Sequence, residues 1–388
     1  MTSFQVLGLL AALAPLLPLG IGLYNRRTWP RPRALPQAAV AAVSVLVPAR
    51  NEARNIRSCL EAILAQGEVV LEVLVYSDES SDETDAIVRS IAEVDGRVRL
   101  IVGGELPSGW VGKPHACHEL GKQARGFWFL FVDADVRLEA GGICGLLAAV
   151  RAEAEDAAPE VVSLVPRQLS AGFWLDVLQP LLLLTYVSWL PLAWANRRSS
   201  RIVAAACGQL LLVARDAFSQ LDGFAGVRGA VVDDLAFCRN ARDKGARVAF
   251  LDGHEIANCR MYDGVRSFWR GFAKNVFWGL GSELNLGVAL GLHAACFLLP
   301  YGVLVAVLLA LGRGEAVPSG WLEAACTGVL ANLLHRGVLA RRHEQGLWSV
   351  ILHPVAVVVL VVLALDSWRR ARLGGIEWSG RSYDGTLA

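Results

Sequence analysis

The chain has 388 residues, 54% of them hydrophobic and 19% charged, with a formal net charge of +1. That balance is too apolar for an ordinary soluble domain, and a charge so near zero gives no electrostatic reason to expect a nucleic acid as partner. Eight cysteines without a CxxC pair exclude a small disulfide framework and fit a reducing compartment.

The apolar excess is gathered into runs. Residues 1–25 contain no Asp, Glu, Lys or Arg, and neither do 284–312 or 347–365; the last two are long enough to cross a hydrocarbon layer of about 30 Å. Arg26, Arg27, Arg31 and Arg33 follow the first run, which marks residues 1–25 as an anchor with the next domain in the cytoplasm. The expected layout is an anchor at 1–25, a basic Pro-rich linker at 26–40, a soluble domain at 41–280, a membrane region of two to three spans at 284–366 and a basic tail at 367–388. Its expected setting is the inner or plasma membrane, crossed several times. Residues 318–335 contain Glu323 and make a weaker span than their neighbours. The run 177–196 is broken by Pro180 and Pro191 and rich in aromatic residues, so it reads as an interfacial segment.

Within 41–280, short apolar runs alternate with helical patterns. Runs at 43–47, 71–76, 98–102 and 127–132 are each followed by a predicted helix, near 52–66, 83–94, 114–125 and 139–152. Further strands are expected at 161–165, 204–214 and 246–251, with a helix at 233–244. Near-continuous apolar strands separated by helices predict a parallel α/β sheet covered on both faces. Pro48 disfavours helix at Val47, and Asn51 is placed to cap the helix carrying Glu52.

Several polar groups then fall at predicted carboxyl ends of strands, where open α/β sheets bind ligands. Asp78 ends the second strand in SDESSDETD. Asp133 and Asp135 end the fourth, directly after FWFLFV, as hard oxygen donors suited to Mg²⁺ or Mn²⁺ shared with a substrate phosphate. A solvated turn is the plain alternative for an isolated D-x-D. GW-V-GK at 109–113 lacks P-loop spacing, yet Lys113 can serve a phosphate as a point charge. His115, Cys117 and His118 fit an ordinary helix better than a zinc site. Asp233 and Asp234 suit a helix start, and one of them also suits a general base. Residues 260–281 place Arg266, Arg270 and Lys274 at helical spacing among aromatic residues, as an interfacial helix does.

The ordered set PARNE (48–52), the acid-ended second strand, GW-V-GK, DAD (133–135) and Asp233-Asp234 resembles the processive and lipid-directed family 2 glycosyltransferases over residues 43–280. The resemblance implies a GT-A fold, a nucleotide-sugar donor (a UDP-sugar), an Mg²⁺ or Mn²⁺ ion and inversion at the anomeric carbon. It further implies that Pro48, Glu52, Asp78, Lys113 and Asp133 bind the donor nucleotide, that Asp135 holds the metal and that Asp234, with Asp233 in place of the usual glutamate, is the base. The Q-x-x-R-W signature of cellulose- and ceramide-type members is missing. WRGFAKN at 269–275 stands there, and together with IEWSGRSY at 376–383 it looks like the branch that glycosylates carotenoids and related isoprenoid lipids. Trp269, Arg270, Lys274 and Asn275 would then face phosphate or acceptor, and the acceptor would be the hydroxyl or carboxyl group of a membrane lipid. A processive polysaccharide synthase and a non-catalytic membrane scaffold are the alternatives.

Overall fold

A computed structural model describes residues 3–36, 43–152, 158–373, 375–378 and 381–384. The chain divides into two compact units, one built on a sheet (residues 30–169, 194–261 and 374–388) and one helical (residues 1–29, 170–193 and 262–373).

The sheet unit is ordered β3-β2-β1-β4-β7-β6-β8-β5. Its strands are β1 (Val43–Ala49), β2 (Val70–Ser77), β3 (Val98–Val102), β4 (Trp128–Val132), β5 (Val136–Leu138), β6 (Val161–Gln168), β7 (Leu210–Ala214) and β8 (Val248–Cys259). Alternate residues point to opposite faces of a strand, so an apolar run fills two core layers at once. Val45, Val47, Leu130 and Val132 enter one layer and Leu46, Phe129 and Phe131 the other. Strands β1 to β4 pair in parallel, as expected. The remainder corrects the all-parallel expectation, because β7 runs antiparallel to both β4 and β6, and β5 runs antiparallel to β8. Residues 204–209, expected as strand, instead lead into β7, and their chain direction is reversed relative to β4.

This reversal positions the site. Ala49 pairs with Ser77, so β1 and β2 finish level, and Leu210 at the start of β7 pairs with Val132 at the end of β4. The residues after β1, β2 and β4 and those before β7 therefore meet at one edge.

The Pro-rich stretch 30–36 is a strap on this unit rather than a free spacer. Arg31 Nε meets Asp252 Oδ2 at 2.8 Å, Asp252 N donates to Pro30 O at 2.9 Å and Leu35 N donates to Gly141 O at 3.1 Å. Gly141 has φ +74°, and a Cβ on Gly145 would stand 1.9 Å from Arg33 O. Only a hydrogen fits there. Residues 37–40 of the expected linker lie outside the described residues, as do Ser379 and Gly380 of the C-terminal motif; its flanks, β9 (Gly375–Trp378) and β10 (Arg381–Asp384), form an antiparallel hairpin.

In the helical unit, two stretches are long and apolar enough to cross a membrane, Gln5–Thr28 and Glu283–Gly312. The second contains one wide turn at Ala294–Leu298 ahead of Pro300, as expected where proline removes a helical donor. Within the expected span at 347–365, the helices Trp348–Ile351 and His353–Arg372 meet at Leu352, and the longer helix ends in Asp366, Arg369, Arg370 and Arg372. The helix Trp321–Arg342 carries Glu323, Arg336, Arg341 and Arg342. Pro180 and Pro191 divide 177–196 into short helices, Pro180–Val187 and Leu192–Asn196 among them.

Gly145→Ala should force the strap off the helix Gly142–Ala152 and cost on the order of 1–3 kcal/mol, the usual range for overpacking. A thermal unfolding midpoint unchanged from wild type would contradict this packing.

Candidate active site

Each element delivers its polar group to the edge for a local reason. Asp78 follows β2 and is 2% exposed; its backbone N–H donates to Ala49 O at 2.8 Å, while Arg50 Nη1 donates to its carbonyl at 2.6 Å and lies 3.5 Å from Oδ2. Pro48 is within β1, paired with Tyr76. The turn after β1 corrects the capping expectation. Asn51 is left-handed at φ +56° and accepts from Ser81 N at 2.8 Å, so it ties this turn to the one after β2. The helix begins only at Ile56, leaving Glu52 in the turn, its backbone N–H donating to Thr84 Oγ1 at 2.8 Å and its Oε2 accepting from Asn55 Nδ2 at 2.9 Å.

Lys113 sits in the first turn of the helix Gly112–Gln123 and reaches Asp133, with Nζ 2.6 Å from Oδ1 and 2.8 Å from Oδ2. The same ammonium donates to Gly208 O at 3.3 Å. Asp133 N donates to Gln209 O at 3.1 Å. Asp233 and Asp234 open the helix Asp233–Asp243, and Asp234 Oδ1 accepts from Leu235 N at 2.8 Å. A Cβ on Gly208 would lie 3.2 Å from both Asp234 Cβ and Lys113 Nζ. Gly208 thus lets the β7 approach pass between the cation and the second acid pair. Gln209 Nε2 donates to Cys259 Sγ at 2.8 Å, and the Cys259 thiol lies against Asp135.

Four aspartates therefore share Lys113. Burial opposes the charge on Lys113, but Asp133 and then Asp233 outweigh it and raise its proton affinity well above that of free lysine. The acids bear the complementary cost. Burial, then the charge of Asp133, pushes Asp135 up to about 6. Asp233 is pushed to about 6 by burial, against the pull of Lys113 and with the charge of Asp234 adding to it. Asp234 moves up for the same leading reason. Glu52 reaches about 7 through burial, partly offset by Asn55, with Asp135 and Asp133 contributing. Negative charge at this edge exceeds what the protein itself neutralises.

A divalent cation fits that deficit. Asp135 Oδ1 is buried without a hydrogen-bond partner, and carboxylate oxygen is the donor that Mg²⁺ and Mn²⁺ prefer. Among the described residues no three His, Cys, Asp or Glu side chains converge as a protein-only cage, so a cation here would need substrate oxygens as well. The edge gathers Asp78, Lys113, Asp133, Asp135, Asp233 and Asp234, all expected from sequence. Gly208, Gln209 and Cys259 were not expected; they carry no motif, and only the reversed β7 and the β5–β8 pairing bring them in. Trp269, Arg270, Lys274 and Asn275 lie on the helix Val265–Leu280 of the other unit, where Trp269 Nε1 donates to Asp366 Oδ2 at 2.9 Å and Arg270 is exposed.

Residues 44–167 match the glycosyl transferase family 2 model. The match spans β1 to β6 of the sheet unit. This α/β domain binds a nucleotide sugar and transfers the sugar to an acceptor. The glycosyltransferase is similar over 374 residues, at 25% identity and 94% of each chain, to 4,4'-diaponeurosporenoate glycosyltransferase of Staphylococcus aureus strain MRSA252. The USA300 counterpart is 24% identical over 378 residues, again with 94% of each chain covered. Among solved structures, a mannosyltransferase of Pyrobaculum calidifontis in complex with GDP-Man and Mn²⁺ aligns with a TM-score of 0.52 at 18% identity, covering 92% of this chain and 99% of the other. That likeness extends the shared fold through the helical unit.

The raised acids fix the sign of the pH dependence. Glu52, Asp135 and Asp233 hold protons more tightly folded than unfolded, so their contribution to stability is greatest below about pH 4 and is lost as pH rises through about 6 to 7. Without divalent cation, the unfolding midpoint should fall between pH 5 and pH 8, and Glu52→Gln should flatten that fall. A midpoint that rises across the interval would contradict the burial of uncompensated acids.

Proposed function

We propose that the sheet unit is a cytoplasmic GT-A domain, held at the membrane by Gln5–Thr28 and the 284–366 region, that moves one sugar with inversion from a nucleoside-diphosphate sugar to the hydroxyl or carboxyl group of a membrane lipid. The observation that carries this reading is the convergence of Lys113, Asp133, Asp135, Asp233 and Asp234 at one edge of the sheet. The lipid class is supported by the length of the match to carotenoid-acid glycosyltransferases, together with two helices apolar enough to cross a membrane.

The nucleoside lies against the turns carrying Pro48, Glu52 and Asp78, where Asp78 is oriented by Arg50. Lys113, fixed by Asp133, is aimed at the diphosphate. Asp135, whose Oδ1 has no hydrogen-bond partner, would hold the divalent cation. When bound, that ion supplies positive charge against the diphosphate as it departs. The acceptor oxygen forms its bond to the anomeric carbon while the carbon–phosphate-oxygen bond breaks, and the electron pair leaves with the nucleoside diphosphate. For a hydroxyl acceptor, Asp234 takes the proton; its Oδ1 is steadied by Leu235 N, and burial raises its proton affinity toward that of a useful base. Asp233 keeps its charge close to Lys113 and steadies the approach. Trp269, Arg270, Lys274 and Asn275 serve the acceptor side.

With a hydroxyl lipid as acceptor, Asp234→Asn should lower the transfer rate by about 10²–10⁴-fold, the usual worth of a general base, while donor binding stays near wild type. Parallel loss of donor binding would assign Asp234 to holding the donor instead. Asp135→Asn should abolish the Mn²⁺ dependence of donor binding, and a variant that still binds donor only with Mn²⁺ would refute its role as ligand.

A further inference from the structure

The helical unit buries polar side chains that sugar transfer does not use. Asn332, His335 and Arg336 of the helix Trp321–Arg342 are no more than 2% exposed, and His353, at the start of the next long helix, is 1% exposed. Arg336 Nη2 donates to Ser349 Oγ and Gln345 Oε1, each at 3.0 Å, and Nε donates to Ser349 O at 3.4 Å. All three acceptors are neutral. Among the described residues no carboxylate pairs with this guanidinium, and its Nη1 makes no hydrogen bond.

The surrounding groups are similarly unfinished. Phe297 gathers two imidazoles, lying parallel to His335 at 5.8 Å between centroids and edge-on to His353 at 5.1 Å. His335 Nε2 meets Ser188 Oγ at 3.4 Å, yet its Nδ1 is buried with no partner, as are His353 Nε2 and Asn332 Oδ1. By contrast His293, nearby, is satisfied on both nitrogens, by Ala289 O at 2.7 Å and Trp189 Nε1 at 3.4 Å. Around Phe297, His335 and His353 thus each keep one buried ring nitrogen without a partner. A guanidinium stays charged at neutral pH, and burying it without a counter-ion is expensive. An ionisable group buried in a helical unit that carries two stretches apolar enough to cross a membrane is a candidate site. A planar fork with spare N–H donors, flanked by imidazoles, matches carboxylate or phosphate oxygens.

We infer that Arg336, with His335 and His353, binds the anionic oxygen group of a lipid, a carboxylate or a phosphate carried on an apolar tail. The inference rests on the membrane reading of this unit and not on the transfer step.

The test uses the full chain in neutral detergent, without donor, and measures binding of oleate, methyl oleate, phosphatidylglycerol and phosphatidylcholine. At least one anionic lipid should bind about tenfold or more tightly than its neutral counterpart, the scale of one charge-assisted hydrogen bond, and Arg336→Gln should remove the difference. A preference confined to oleate assigns a carboxylate lipid, one confined to phosphatidylglycerol assigns a phospholipid headgroup, and a preference for both assigns a general anion site. Equal binding of charged and neutral lipids by wild type, or a preference that persists in Arg336→Gln, overturns the inference. Should Arg336→Gln fail to fold, Arg336→Lys takes its place: a point cation should keep a weakened preference, and indifference in wild type still decides against the site. Because binding is read without turnover, failure here leaves the transfer reading standing, and an inactive preparation still answers the binding question.

Discussion

The ion pair between Lys113 and Asp133 is the contact on which the rest of the site depends. An ammonium held 2.6 Å from one carboxylate oxygen, and within reach of Gly208 O, is what allows four aspartates to occupy one end of a sheet whose central strands are largely apolar. Desolvation alone would drive Lys113 to give up its proton; the acids reverse that tendency. They remain undercompensated themselves, since Asp135 and Asp233 both settle near 6. A binding site for a diphosphate and a cation needs this state: one fixed positive charge for the substrate, and enough unspent negative charge to attract an ion.

The sheet achieves it through a change of direction. Parallel β1, β2 and β4 deliver the turns bearing Glu52, Asp78 and Asp133 to the same edge, whereas β7 arrives from the opposite direction and starts where β4 ends. Gly208 and Gln209 therefore meet Asp133 and Lys113 without any sequence proximity. The short β5 returns the chain past Cys259 on β8, and that pairing holds Asp135 beside Asp133. In the helical unit a parallel economy is visible in Arg336, whose neutral partners fix its orientation while its charge is left over.

The apolar runs that form β1 to β4 and the acids that end them were legible, because a buried strand closed by a carboxylate has few plain explanations in an α/β pattern. The family resemblance drew on the same residues. The reversal at β7 was not legible: LLLVA looks the same whichever way it runs, and direction is set by pairing with β4 and β6. Asn51 misled for a related reason, since an asparagine before a helical pattern reads as a cap, whereas here it adopts φ +56° to join two turns. Likewise the run 347–365 has no Asp, Glu, Lys or Arg along its whole length, yet two helices meet within it at Leu352. Cys259 and Gly208 could be recognised only as neighbours, never as motifs.

The central claim is that the acid cluster is short of positive charge and completes itself with a cation and a diphosphate together. Calorimetric titration of Mn²⁺ into the full-length protein, with and without a saturating nucleoside diphosphate, tests it most directly. Cooperative binding, with Mn²⁺ held at least about tenfold more tightly when the diphosphate is present, is the predicted result. Equal Mn²⁺ affinity in both titrations would contradict it.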